Sequence, residues 1–297
     1  HANDGGGSIR IPAACCGLIG LKPSRGRHVL SDQSKSLPLN IVSEGIVSRS
    51  VRDTAYFHAE AEKYYRNKKL PPIGLVEGPG NKRLKIGYAV DSITGHPTDD
   101  DTRNTLEETL SLLDNLGHHV ETMPLPIKPS FIEDFSLYWA MLAFLTQKTG
   151  KLSMDPSFNA SKLDSLSLGL GDMYKKKFYK TPLFLYRLKK TYDDYARSFA
   201  DFDIVLTPVL AQTPAKLGHI SPTVPFEELF DRLMRYVSFT PLANTSGAPA
   251  ISLPISATKN NLPISMQFAA NHGRERVLLE LAYEIEEAKP WRRIHNL

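Results

Sequence analysis

The chain has 297 residues, of which 41% are hydrophobic and 23% charged, and a formal net charge of +4. These proportions suit a soluble globular protein with a large core. They exclude a basic nucleic-acid binder, since Lys175–Lys177 and Lys189–Lys190 read as solvated helix faces. No apolar run reaches the length of a membrane span, and no repeat or low-complexity tract interrupts the chain.

The first informative stretch is His1-Ala-Asn-Asp-Gly-Gly-Gly-Ser-Ile-Arg-Ile-Pro12. Three consecutive glycines allow positive φ and leave backbone N–H groups bare, with a serine on their rim. A hydroxyl beside an arc of free donors suits acyl transfer, which needs a nucleophile and a hole for the oxyanion. Other glycine motifs fail on spacing. A P-loop requires a lysine that Gly7-Ser8-Ile9 lacks, and both a dinucleotide fingerprint and a hydrolase elbow require glycine where Arg10 stands. Asp4 and Arg10 flank the turn with opposite charge and are expected to pair across it and shape it.

In chain order, Pro12 opens a short helix through Cys16, stopped by Gly17, with its N–H groups towards Ser8. The adjacent Cys15 and Cys16 are too close for a good disulfide and read as small buried packing residues; a reducing compartment fits, so the cytoplasm is slightly favoured. A buried strand spans Leu18 to Leu21. Ser50-x-x-Asp53 caps a helix through about Tyr65, and a Pro/Gly-rich linker covers Pro71 to Asn81. A strand from Leu84 to Val90, a helix begun by Asp99–Asp101 with Leu106, Leu110, Leu113 and Leu116 on one face, and a strand from His119 to Met123 make a βαβ unit. The aspartates complement the helix dipole and are not a metal site. His118 and His119 diverge at the turn before the second strand.

Residues 131–202 read as helical and aromatic, with Trp139, Tyr174, Phe178, Tyr179, Phe184, Tyr186 and Tyr192 as core or as walls of an acyl pocket. A buried strand then runs from Asp203 to Leu210. Asn244 and Thr245 lie in a small-residue turn, as pocket lining or as turn chemistry. Ile251–Ile255 and Ile264–Ala269 form a hairpin across Asn260-Asn261, and a helix from about Arg274 to Ala288 closes the pattern.

Asp4 to Ala14 with Cys16 to Arg27 closely resembles the signature segment of the amidase signature family, and Ser43–Ala55, Asp203–Leu210 and Phe239–Pro254 extend the likeness. The resemblance implies an α/β fold, a mixed sheet covered by helices, as a single domain over residues 1–297 with its N-terminal part missing. It implies Ser8 as the acyl-enzyme nucleophile and the N–H groups of Gly5, Gly6, Gly7 and Ser8 as the oxyanion hole. Family members activate this serine through a second serine in a cis peptide and a lysine base, both upstream of the signature; only seven residues precede Ser8 here. Lys22 is near in sequence but is not the lysine the family uses. Where the family has glycine this chain has Ser265, which questions the backbone packing there.

The expected activity is hydrolysis of a small-molecule carboxylic amide, weak in this chain for want of the base, with no cofactor and no metal. Two alternatives stay open: a glutamine-hydrolysing amidotransferase subunit, and a noncatalytic remnant that self-associates or binds a partner through surface laid bare by the truncation.

Overall fold

The computed structural model describes residues 1–292, the side chain of Gln33 excepted. Strand β1 (Ala2–Asp4) leads into the glycine turn, α1 (Arg10–Cys15) leaves it, and β2 (Ile19–Lys22) follows. Then come α2 (Asp32–Lys35), β3 (Ser43–Ser48), α3 (Val51–Tyr64), β4 (Lys85–Tyr88), α4 (Asp100–Asn115) and β5 (His119–Thr122). Helices α5 (Phe131–Ser153), α6 (Ser165–Lys177) and α7 (Thr181–Ser198) occupy the expected helical region. The chain closes with β6 (Ile204–Pro208), α8 (Phe226–Tyr236), α9 (Pro241–Ser246), β7 (Ala250–Ala257), β8 (Pro263–Ala270) and α10 (Glu275–Ala288).

Among the described residues these strands make one mixed sheet in the order β1-β3-β2-β7-β8-β6-β4-β5. β4 is parallel to β5 and β6, as a βαβ connection requires, and the other pairs are antiparallel. Local chemistry sets the element ends. Ser50 caps α3 by accepting from Asp53 N–H at 3.1 Å, Asp99 caps α4 by accepting from Thr102 N–H at 2.8 Å, and Asn261 turns the β7–β8 hairpin at φ +61°.

The two faces of the central hairpin differ. Ile251, Leu253, Ile264, Met266 and Phe268 point into one core, beneath α3, α4 and α10. The alternate positions are small or polar: Ala250, Ser252, Ser265, Gln267 and Ala269. That second face receives α1 and the glycine turn. Close approach depends on Gly20 of β2, where a Cβ would stand 2.8 Å from Ala13 Cβ and 2.9 Å from the Ile9 carbonyl. A second core, with Phe131, Tyr138, Met141, Phe184 and Leu242, packs α5, α7 and α9 on that side.

Some details correct the sequence reading. Cys15 is half-buried against the Tyr236 hydroxyl at 3.2 Å and Cys16 is exposed, because α1 turns Ala13 and Ala14 to the sheet instead. On α4 the buried stripe is Thr102, Thr105, Leu106, Thr109 and Leu113, with Leu110 and Leu116 only half-buried. The Thr105 and Thr109 hydroxyls donate to carbonyls one turn back, at 2.9 and 2.7 Å, which makes their burial tolerable. The doubt over Ser265 has a counterpart in the ladder: Ser265 pairs with Pro254, the register of β7 and β8 shifts between Pro254 and Ser256, and the Ser265 carbonyl accepts from Val209 N–H at 3.2 Å. No helix among the described residues is long and apolar enough to cross a membrane.

Candidate active site

The glycine turn is built on a buried ion pair. Asp4 and Arg10 are both fully buried, and the Arg10 Nε and Nη2 donate to the two Asp4 carboxylate oxygens at 3.0 Å each. Asp4 also accepts from the N–H groups of Gly7 at 2.6 Å, Ile9 at 3.2 Å and Arg10 at 3.4 Å. One carboxylate therefore gathers the turn around itself. Burial alone would raise its pKa, but Arg10, with Lys22 and Asn244 nearby, holds it down at about 2.

Distant segments satisfy the rest of the guanidinium. Arg10 Nη1 donates to the Thr240 carbonyl at 2.9 Å and to Gln267 Oε1 at 2.6 Å, and Nη2 donates to Asn244 Oδ1 at 2.5 Å. Asn244 in turn donates to the Asp4 carbonyl and carboxylate at 2.8 Å and to the Ile41 carbonyl at 3.0 Å. Asn244 and Thr245 thus lie buried in α9 rather than in a pocket-lining turn. A buried ion pair is tolerable when every donor and acceptor is used in this way. Sequence reasoning found Asp4 and Arg10 but missed Thr240, Asn244 and Gln267 as their partners.

Gly7 has φ +133°, and a Cβ there would stand 2.5 Å from Thr240 Oγ1 and 2.6 Å from Ile11 Cδ1. No other residue fits. The Thr240 hydroxyl meanwhile donates to the Gly6 carbonyl at 2.6 Å. Because the Gly7 N–H is spent on Asp4, Gly7 leaves the set of oxyanion donors expected from sequence. Gly5, Gly6 and Ser8 remain, and among the described residues no protein acceptor meets their N–H groups.

Ser8 is exposed and lines a cavity of about 860 Å³ together with Gly5, Gly6 and Gly7. Val42 flanks Gly5 and Phe135 flanks Gly6, each about 3.5 Å from where a Cβ would stand. The wall opposite is one face of α5, joined by Met234 and Val237 after α8 begins. Of the seven aromatic residues singled out in the helical region only Trp139 reaches this cavity. Phe184 is core, and Phe178, Tyr179, Tyr186 and Tyr192 are exposed.

Among the described lining residues Glu44 is the only one with an ionisable side chain, and burial raises its pKa. Among the described residues no lysine or histidine lines the cavity. Lys22 is fully buried elsewhere, donating to the Pro23 carbonyl at 2.7 Å and to Ser43 Oγ at 3.4 Å. Burial and the Arg10 charge bring it down to about 7. Among the described residues no cluster of His, Cys, Asp and Glu could hold a metal ion.

Comparison with known proteins shows the family. The amidase family model matches residues 1–279. A protein of Mycobacterium leprae named "Putative amidase AmiC" is 46% identical over 99% of this chain and 63% of its own length. The 6-aminohexanoate-cyclic-dimer hydrolase of Paenarthrobacter ureafaciens is 28% identical over 98% of this chain and 63% of its own. A solved 6-aminohexanoate cyclic dimer hydrolase complexed with substrate superposes with a TM-score of 0.83 at 26% identity, covering 98% of this chain and 65% of that one. The chain thus spans a little under two thirds of these relatives' length. With its signature residues gathered at one turn and its fold shared, the chain belongs to the amidase family.

Proposed function

We propose that this chain carries the nucleophile and oxyanion site of an amide hydrolase that works by acyl transfer. The observation that carries the reading is an exposed Ser8 on a glycine turn that lines a cavity and whose Gly5, Gly6 and Ser8 N–H groups meet no protein acceptor among the described residues. Ser8 Oγ attacks the amide carbonyl carbon, and the N–H groups of Gly5, Gly6 and Ser8 hold the oxyanion. The C–N bond then breaks, the amine leaves with a proton, and an acyl ester stays on Ser8. Water cleaves that ester, releasing the acid and restoring the hydroxyl.

The cavity lining within residues 1–292 presents no lysine or histidine to take the Ser8 proton. This chain by itself is therefore expected to acylate slowly, with the donors supplying what rate there is. Glutamine hydrolysis of the amidotransferase kind has less support, because the described lining offers no cation for the carboxylate of a free amino acid.

The test is intact mass after prolonged incubation with a phenyl ester of acetic acid, run beside Ser8→Ala. One acetyl adduct that is absent from Ser8→Ala is the expected result. An adduct that survives the substitution overturns Ser8 as nucleophile.

A further inference from the structure

We propose that the cavity is a groove for an extended, uncharged apolar chain attached to the amide, laid along α5. Where the amide sits rests on the Ser8 reading; the groove itself stands on its own lining. The Phe135 ring marks one end, with its edge 3.6 Å from where a Cβ on Gly6 would stand. From there the cavity follows Trp139, Leu142 and Leu145 at helical spacing along one face of α5. Leu145 stands ten residues beyond Phe135. At the rise of an α-helix that is about 15 Å of apolar wall.

Past Leu145 the lining face of α5 turns to hydroxyls at Thr146, Thr149 and Ser153, with Met154 the one apolar side chain beyond them. The apolar stretch therefore has an end, and an alkyl chain that outruns it gains nothing more. Charge gives the second constraint. The one ionisable lining side chain among the described residues, Glu44, sits on β3 opposite Asn3 of β1, on the strand pair that leads into the glycine turn. The face of α5 that lines the cavity carries no charged side chain, so a cationic or anionic tail lying on that face would find no partner there.

The experiment separates the groove from the nucleophile. Ser8→Ala combined with Trp291→Phe leaves Trp139 as the single tryptophan, since the chain has only two. Its fluorescence is followed during titration with straight-chain alkanamides from acetamide to hexadecanamide, the longest of which outreaches the apolar wall. Affinity is expected to rise by up to about fourfold per methylene and then to level off. Leu142→Phe should make it level off earlier, and Leu145→Glu should flatten the rise for the longer amides.

Leu145 is 38% exposed, so its replacement spares the core, and a melting curve checks that each variant folds. Affinity independent of chain length overturns the groove, as does a rise that both variants leave unchanged. An acyl adduct on Ser8 with flat alkanamide affinity would overturn the groove alone. Graded affinity without any adduct would support the groove and count against Ser8.

Discussion

Arg10 and Arg27 stand near the two ends of the signature segment, each buried and each paired with carboxylate, yet their surroundings differ. Arg27 is held by Glu275 at 2.7 Å and Glu62 at 3.1 Å, and it also donates to the carbonyls of Pro71 and Gly273. Glu62 accepts from the N–H groups of Ile73 and Gly74, and Glu275 accepts from that of Ser24. Each Arg27 donor ends on a helix carboxylate or a loop carbonyl, and neither Arg27 nor its partners line the cavity. Around Arg10 the same chemistry bends a glycine turn so that three N–H groups and one hydroxyl are left over. A buried arginine pair is thus no sign of a site in itself. What marks the site is the polar capacity that remains unused and opens onto a cavity.

The largest effects should come from removing either arginine. Arg10→Ala leaves Asp4 buried and unpaired, and Arg27→Ala does the same to Glu275. Each should cost about 3–5 kcal/mol in urea unfolding, a similar loss from two different places. A loss at Arg27 far smaller than at Arg10 would break the parallel.

Backbone substitutions sharpen the contrast. Gly7→Ala meets both a positive φ and overlap with Thr240 and Ile11, so it should cost at least about 2 kcal/mol and abolish labelling of Ser8. Gly74→Ala, beside Glu62, has φ +61° and its nearest neighbour at 3.4 Å. It should cost about 1 kcal/mol and leave labelling alone. Chemical denaturation and intact mass read both.

The acid limb of stability reports on the Asp4 carboxylate. The Asp4 carboxyl lies at about 2 in the folded chain against 3.8 in the unfolded one. Its contribution, about 2 kcal/mol, is complete above the unfolded pKa and is lost as pH falls through the folded value. Asp4→Asn should be less stable at neutral pH, and its loss on acidification between pH 4 and 2 should be smaller. Smallest is the cap. Ser50→Ala should cost about 1 kcal/mol through α3 and change nothing at Ser8. Thermal melts of the variants over that pH range test the two expectations.

Features with local causes could be read from sequence. The Ser50 cap, the Asp99 start of α4, the Asn261 hairpin and the Asp4–Arg10 pair each depend on residues within a few positions of one another. The partners that hold Arg10 come from Thr240, Asn244 and Gln267, at least 230 positions away, and no periodicity announces such contacts. The Gly7 N–H shows the same limit at short range. Three glycines predict bare donors, but which donor the Asp4 carboxylate takes depends on the folded path of the turn. The aromatic residues of α6 and α7 misled because composition does not say which helix face meets the cavity; of the described residues of α5, α6 and α7, only those of α5 line it.

The most direct measurement is the rate at which a fluorophosphonate forms an adduct on Ser8, by intact mass, in the parent, Arg10→Lys and Arg27→Lys at a temperature where all three are folded. A lysine keeps the charge but loses the fork that spans Asp4, Thr240, Asn244 and Gln267. The account predicts a slow, single adduct on the parent, the same rate in Arg27→Lys, and at least a tenfold lower rate (~1.4 kcal/mol) in Arg10→Lys. No adduct on the parent, or equal rates in all three, would contradict it.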